Sequence, residues 1–145
     1  MKTLLKTVMF IALVLPASTL SYAQGLEPGN LLSVHVVTVS LRPNVTLDDF
    51  RNAFVRDVLP EYEKNWPGLK AYLLKPFFGD SKNQLAIVWL FKTEADRNRN
   101  FDANDRANEL EKAALKKVKP FEDRLKQQYG TYTVEYSHED DWVVQ

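Results

Sequence analysis

The 145-residue chain is 45% hydrophobic and 26% charged, with nineteen basic and nineteen acidic side chains and no cysteine. These proportions are typical of one globular domain and exclude a disordered, collagen-like or disulfide-stabilised chain. The formal net charge of zero and the pI near 6.7 give no electrostatic basis for binding nucleic acid, because proteins that bind phosphate backbones carry an excess of basic residues. Without cysteine, thiol nucleophiles and thiolate metal sites are excluded as well.

The first residues have the pattern of a secretory signal peptide. Two lysines precede an apolar stretch over residues 7–20, and the small residues that follow predict cleavage after Ala23. The apolar stretch is short and contains Pro16, which favours a cleaved leader over a retained membrane anchor. The sequence therefore predicts a leader over residues 1–23, one domain over residues 24–145, and a periplasmic or secreted protein that is not attached to the membrane.

The domain begins with a predicted strand and a predicted helix. Residues 31–41 are rich in β-branched side chains and end at a turn sequence, which is typical of a strand. Thr46 and Asp49 then have the spacing of a helix cap, and we expect Pro60 to bend the helix before it ends at residues 66–68. One face of this helix carries an apolar stripe of Leu47, Phe50, Phe54, Val58 and Tyr62.

The second half of the domain is predicted to contain two strands joined by a hairpin turn, a short capped helix, a long amphipathic helix and an alternating strand. The predicted bounds are 69–78 and 85–92 for the strands, 79–83 for the turn, 94–101 and 107–128 for the helices, and 131–137 for the last strand. The long helix has an apolar stripe of Leu110, Ala114, Val118, Phe121 and Leu125, and Pro120 predicts a kink.

This order of elements predicts an α+β fold of the ferredoxin-like βαββαβ type, with an antiparallel sheet and two main helices on one face. In the predicted strands 31–41 and 85–92, residues of both parities are apolar. The sheet face without helices must therefore also be covered, since a large apolar patch in water is an aggregation hazard. We expect a homodimer in which two sheets close a shared barrel about a two-fold axis.

Two stretches carry a resemblance to a known group of proteins. In VHVVTVSLRPNVTLDDF a strand runs through a turn into a capped helix, and in LFKTEADRNRNF a buried strand runs into a short helix that ends in an aromatic residue. Over residues 31–137 the chain resembles the dimeric α+β-barrel superfamily, which includes antibiotic-biosynthesis monooxygenase-like and stress-responsive barrel domains, and is closest to its uncharacterised secreted bacterial members. The resemblance implies a dimer, and it places His35 where stress-responsive barrel proteins carry a histidine in the first strand.

The candidate site residues are a histidine and four aromatic residues. His35 is the one imidazole inside a predicted core element, and near neutral pH it can accept or donate a proton. Tyr72, Trp89, Tyr132 and Tyr136 can line a pocket for a flat organic ligand, because aromatic walls with a few polar groups suit such molecules. The alternative is structural: a hydrogen-bonded core histidine, and aromatic side chains that fill the core or the dimer barrel.

Two functions remain open at this point. The first is a non-catalytic exported protein that binds a small apolar or aromatic molecule. The second is a cofactor-independent monooxygenase-like or cyclase-like enzyme, in which His35 is the general base and the hydroxyl of Tyr72 or Tyr136 orients or polarises a carbonyl group. The second function requires that His35 face a cleft.

No metal and no cofactor is predicted. Residues 138–141 combine one histidine with three carboxylates, but they are consecutive, which favours a solvated tail over a metal site. Residues 97–106 have mixed charge and are interpreted as solvated surface, with the gating of a cleft as the alternative. Haem would need His35 as its axial ligand, and the sequence gives it no further support.

Overall fold

The computed structural model of the protein describes residues 25–77, 83–102, 104, 106–136 and 141–145. The predicted leader, most of the hairpin turn and residues 138–140 lie outside the described residues. The strands are β1 (Leu31–Leu41), β2 (Leu69–Leu74), β3 (Gln84–Phe91), β4 (Gly130–Glu135) and β5 (Asp141–Val143). The helices are α1 (Leu47–Ala53), α2 (Leu59–Asn65), α3 (Glu94–Asn98) and α4 (Glu109–Gln128), with a π-helical segment (Phe54–Val58) between α1 and α2.

The sheet has the strand order β2-β3-β1-β4, and all of its pairs are antiparallel. Together with the order of the elements, this arrangement is the ferredoxin-like one, so the predicted α+β fold class is confirmed. The odd-numbered residues of β1 face the helices, and Val37 and Val39 are buried there in one hydrophobic cluster with Phe50 and Val118. The hydrophobic core therefore lies between one face of the sheet and the helices.

The first long helix forms as the sequence predicts, and it passes through Pro60 by a local change of hydrogen bonding. Thr46 caps it: its hydroxyl accepts from the backbone N–H of Asp49, whose carboxylate accepts from the N–H of Thr46. Just before the proline, the N–H of Leu59 donates to the carbonyl of Phe54, five residues back. Because proline has no N–H and its ring crowds the preceding turn, the hydrogen bonding changes to a π-helical turn just before Pro60, and the helix continues to Asn65.

The helix α4 runs through Pro120 as one element, within two residues of its predicted bounds. Asn108 caps it by accepting from the N–H groups of Leu110 and Glu111. Ala114, Val118 and Leu125 of the predicted stripe are buried, whereas Leu110 is exposed, so its assignment to the stripe is wrong.

Two strand ends differ from the prediction. β2 ends at Leu74 instead of residue 78, two positions before Pro76, which cannot donate to a neighbouring strand. At the end of the chain, the expected solvated tail is wrong for Asp141, which begins β5 and pairs with Ser33 of β1. Backbone hydrogen bonds extend this pairing, since Val144 exchanges them with residues 29 and 30.

The sheet face that points away from the helices is called the open face below. Across it, Val36 lies beside Ala86, Val34 beside Val88, and Leu32 beside Leu90 and Trp142. Tyr72 and Leu74 of β2 lie on the same face, in register with Val88 and Ala86. The predicted apolar character of this face is confirmed: Val36 is 41% exposed and Trp142 is 63% exposed in the single chain.

Among the described residues, no helix combines the length and the apolar character that a membrane crossing would require.

Candidate functional site

A cavity of about 410 Å³ lies between the helix-facing side of the sheet and the helices. Six of the described residues that line it are aromatic, and they come from separate parts of the chain. The lining residues are Ser33 and His35 of β1, Tyr62 and Trp66 at the end of α2, Leu69 of β2, Trp89 and Phe91 of β3, Arg97 of α3, Phe101, Glu111 and Leu115 of α4, Tyr136, and Asp141 of β5.

His35 lies in the wall of this cavity. It is an odd-numbered residue of β1, so its side chain points toward the helices, and it is 6% exposed. Its ring centroid is 4.9 Å from that of Tyr136, which follows β4 directly. A chemical role of His35 requires that its side chain face a cleft. The geometry meets this requirement.

Aromatic rings in mutual contact form a second wall. The ring of Tyr62 lies 5.0 Å from Trp66 and 4.8 Å from Trp89, measured between centroids. Trp66 is buried and ends α2, where its backbone N–H donates to the carbonyl of Tyr62. Trp89 lies directly opposite Ser33 in the β1–β3 pair, so the sheet itself positions it in the cavity.

Tyr62 is held by a buried hydrogen-bond cluster behind this wall. The hydroxyl groups of Tyr62 and Tyr132 both donate to the Oε1 atom of Glu122, each at 2.6 Å. Burial, followed by the negative charge of Glu122, raises the pKa of both tyrosines well above the ordinary value. Tyr132 packs edge-on against Phe50 and Phe54, so it belongs to the core.

Glu111 brings a carboxylate into the cavity from the first turn of α4. Its Oε2 atom accepts a hydrogen bond from the indole N–H of Trp66. Burial raises the pKa of Glu111, and the hydrogen bond from Trp66 opposes that change. The ionised form of this carboxyl group is therefore disfavoured by its surroundings in the folded protein.

At another part of the wall, an ion pair joins α3 to β5. Arg97 Nη2 is 3.1 Å from Asp141 Oδ2, and the hydroxyl of Ser33 donates to the other oxygen of Asp141. The guanidinium group of Arg97 also lies over the ring of Phe101, 4.4 Å from its centroid. The solvated interpretation of residues 97–106 is therefore wrong for Arg97 and Phe101, which line the cavity.

The structure brings together three of the five residues that the sequence singles out. His35, Trp89 and Tyr136 line the cavity, whereas Tyr72 lies on the open face and Tyr132 lies in the core beneath the helices. Tyr72 is excluded from this wall by strand parity, since its pairing partner Val88 also points away from the helices.

The sequence analysis did not name the other ten lining residues as site residues, among them Trp66, Arg97, Glu111 and Asp141. For Glu111 alone of these four, the sequence contained a signal that could have revealed its position. Glu111 is three residues before Ala114 and seven before Val118, so it lies on the predicted buried stripe, and a carboxylate at a core-facing position is informative. Arg97 and Asp141 carry no comparable signal, because their meeting depends on the pairing of β5 with β1.

Within the described part of the chain, no group of three or more histidine or acidic side chains is arranged to hold a metal ion.

No protein-family model and no curated protein matches the chain. Several solved structures resemble it. SnoaB, a cofactor-independent oxygenase from Streptomyces nogalater, aligns with a TM-score of 0.42 and 15% identity, over 76% of this chain and 94% of that one. A putative antibiotic biosynthesis monooxygenase from Bacteroides thetaiotaomicron aligns with a TM-score of 0.41 and 13% identity, over 73% and 87%.

A dimeric protein of ferredoxin-like fold from Bacteroides fragilis aligns with a TM-score of 0.35 and 16% identity, over 80% of this chain and 97% of that one.

Proposed function

We propose that the protein is an exported homodimer that binds a small apolar or aromatic molecule in the cavity between sheet and helices. The observation that carries this proposal is the aromatic lining of the 410 Å³ cavity. Cavities that hold small organic molecules have this size, are mostly apolar, and carry a few polar groups that fix the orientation of the ligand. Here His35, Glu111 and the pair of Arg97 with Asp141 are among the polar groups.

The homodimer is supported by the open face. Val36, Leu74 and Trp142 expose a large part of their apolar surface there, and the neighbouring strands add further apolar residues. Burying such a patch against a second copy stabilises the assembly by about 25 cal/mol per Å² of apolar surface. Export is supported by the leader pattern of residues 1–23, which lies outside the described structure.

Intrinsic fluorescence provides a direct test of binding. The chain has three tryptophans, of which Trp66 and Trp89 line the cavity and Trp142 lies on the open face. In the Trp142→Phe variant, all tryptophan emission comes from the cavity wall. Titration with a flat aromatic probe such as 2-naphthol should change this emission and reach saturation. The absence of saturable binding across a panel of flat aromatic probes would overturn the proposal.

A pair of variants on α4 locates the binding. Leu115 lines the cavity, whereas Leu110 on the same helix does not, and both are exposed leucines. Leu115→Trp should obstruct the cavity and weaken binding measured by calorimetry, because the larger side chain occupies ligand volume. Leu110→Trp should leave the affinity unchanged. Equal effects of the two substitutions would place the bound probe somewhere else.

The position of His35 favours a second candidate function, an acid–base reaction on the bound molecule. An imidazole in a cavity wall can take a proton from a bound ligand, and a tyrosine hydroxyl beside it can donate a hydrogen bond to a carbonyl oxygen where negative charge develops. Tyr136 is the tyrosine in contact with His35. Turnover of an aromatic ligand that the cavity binds, and its loss in His35→Ala, tests this candidate.

A further inference from the structure

The charges of the cavity wall do not balance among the described lining residues. Arg97 is the one arginine or lysine in that wall, and it is paired with Asp141 at 3.1 Å. Glu111 is a second carboxylate, and its hydrogen-bond donor is the neutral indole of Trp66. When Glu111 is ionised, the wall therefore carries one negative charge that Arg97 does not neutralise.

The rings beside Glu111 add a second attraction for positive charge. Trp66 donates to Glu111 through its indole N–H, while its ring lies 5.0 Å from Tyr62, which in turn contacts Trp89. The faces of aromatic rings carry partial negative charge, and tryptophan attracts cations most strongly of the aromatic residues. Cavities that combine several aromatic rings with a carboxylate suit ammonium groups that carry alkyl substituents.

We infer that the cavity selects an organic cation, an ammonium group with apolar or aromatic substituents, whose charge lies beside Glu111 and the aromatic wall of Tyr62, Trp66 and Trp89. This inference rests on the proposed function, because it names the chemical class of the molecule that the cavity holds. A neutral ligand of the same shape would leave a partly buried carboxylate without a counter-ion among the described lining residues. An anionic ligand would be repelled by Glu111 and would have to displace Asp141 from Arg97.

Two probes of the same shape test the inference. Phenyltrimethylammonium and tert-butylbenzene differ by one positive charge at the branched group, and neither has a group that titrates near pH 8. Titration of the purified Trp142→Phe protein at pH 8, where an ordinary imidazole is uncharged, compares the two affinities through the emission of Trp66 and Trp89. We expect the cation to bind about tenfold more tightly than the neutral probe.

A charge-removing variant with a matched control assigns the preference to one residue. Glu111→Gln keeps an oxygen that can accept from the indole of Trp66, and it should lower the affinity for the cation about tenfold without weakening the binding of tert-butylbenzene. Glu109→Gln is the control, since Glu109 is two positions away on α4, has an 89% exposed side chain and pairs with Lys112. It should change neither affinity.

The outcomes separate this inference from the proposed function. The cation inference is overturned if the wild-type cavity binds the two probes with equal affinity, or if the preference for the cation persists in Glu111→Gln. Either result leaves small-molecule binding in place. Failure of both probes to bind overturns the inference together with the proposed function. The comparison of the two probes needs no substitution at position 111, so it decides the question even where Glu111→Gln folds poorly.

Discussion

His35 and Tyr136 lie side by side in the cavity wall, with their ring centroids 4.9 Å apart and their planes inclined by 60°. The antiparallel register explains this contact: Val36 pairs with Glu135, so the residues one step outward meet on the helix-facing side. A group that can accept a proton and a hydroxyl that can donate a hydrogen bond are thereby brought to the same cavity.

Replacement of His35 distinguishes the two candidate functions. If the protein catalyses an acid–base reaction, His35→Ala should abolish turnover of a bound aromatic ligand with little loss of folding, since the side chain borders an existing cavity. If His35 is structural, the same substitution lowers the melting temperature and affects no reaction. Turnover assays and thermal unfolding followed by circular dichroism measure the two effects on the same sample.

Glu122 should be important for stability because two buried hydroxyl groups share its carboxylate. Glu122→Ala removes the acceptor of Tyr62 and of Tyr132, and each unsatisfied hydroxyl costs about 1–3 kcal/mol. We expect the free energy of unfolding in urea to fall by about 2–6 kcal/mol. Asp123→Ala is the control: its ion pair with Lys119 is exposed, and its loss should change stability by less than about 1 kcal/mol.

A combined variant checks that explanation. Replacing all three members, with Glu122→Leu, Tyr62→Phe and Tyr132→Phe, removes the carboxylate and both hydroxyl groups, so none of these three side chains keeps an unpaired polar group. It should recover part of the stability that Glu122→Ala loses. No recovery would mean that Glu122 stabilises the protein by another route.

The same tyrosines predict a loss of stability in alkali. In the folded protein their pKa values are raised well above 10.0, by burial first and by Glu122 second, whereas in the unfolded chain they titrate near that ordinary value. The unfolded state therefore loses protons first, and stability should fall as the pH rises above about 10. Absorbance at 295 nm should show Tyr62 and Tyr132 ionising only with unfolding. Their simultaneous ionisation with exposed tyrosines would contradict the buried cluster.

The burial of Glu111 leads us to expect that the stability of the folded protein depends on pH in the acidic range. Burial raises its pKa above the ordinary value of 4.5 in the folded protein. The contribution of this group to stability is therefore full below pH 4.5 and is lost as the pH rises through the folded pKa. Glu111→Gln should be more stable than the wild type at neutral pH, and this gain should vanish near pH 4. A lower melting temperature of Glu111→Gln at pH 7 would be the opposite of this expectation.

The periodicity of the sequence predicts the longer helices of this fold well, because apolar residues recur at a regular spacing on their core-facing side. Phe50, Phe54 and Val58 recur at helical spacing and are all buried. The cavity is harder to predict, since its wall is assembled from residues distant in sequence. Arg97 meets Asp141 only because the short strand β5 adds to β1, and three residues give no measurable periodicity.

Because the open face is apolar, we expect two copies of the protein to associate through it and one introduced charge to prevent this association. Val36 lies at the middle of β1 on that face, and burial of a lysine there against a second copy would leave its charge without a partner. We expect the wild-type protein to sediment as a dimer at micromolar concentration and Val36→Lys to sediment as a monomer. Val55→Lys is the matched control, since Val55 is similarly exposed but lies on the helical layer. A wild-type monomer at that concentration would exclude the homodimer, and dissociation by Val55→Lys alone would assign the interface to the helices.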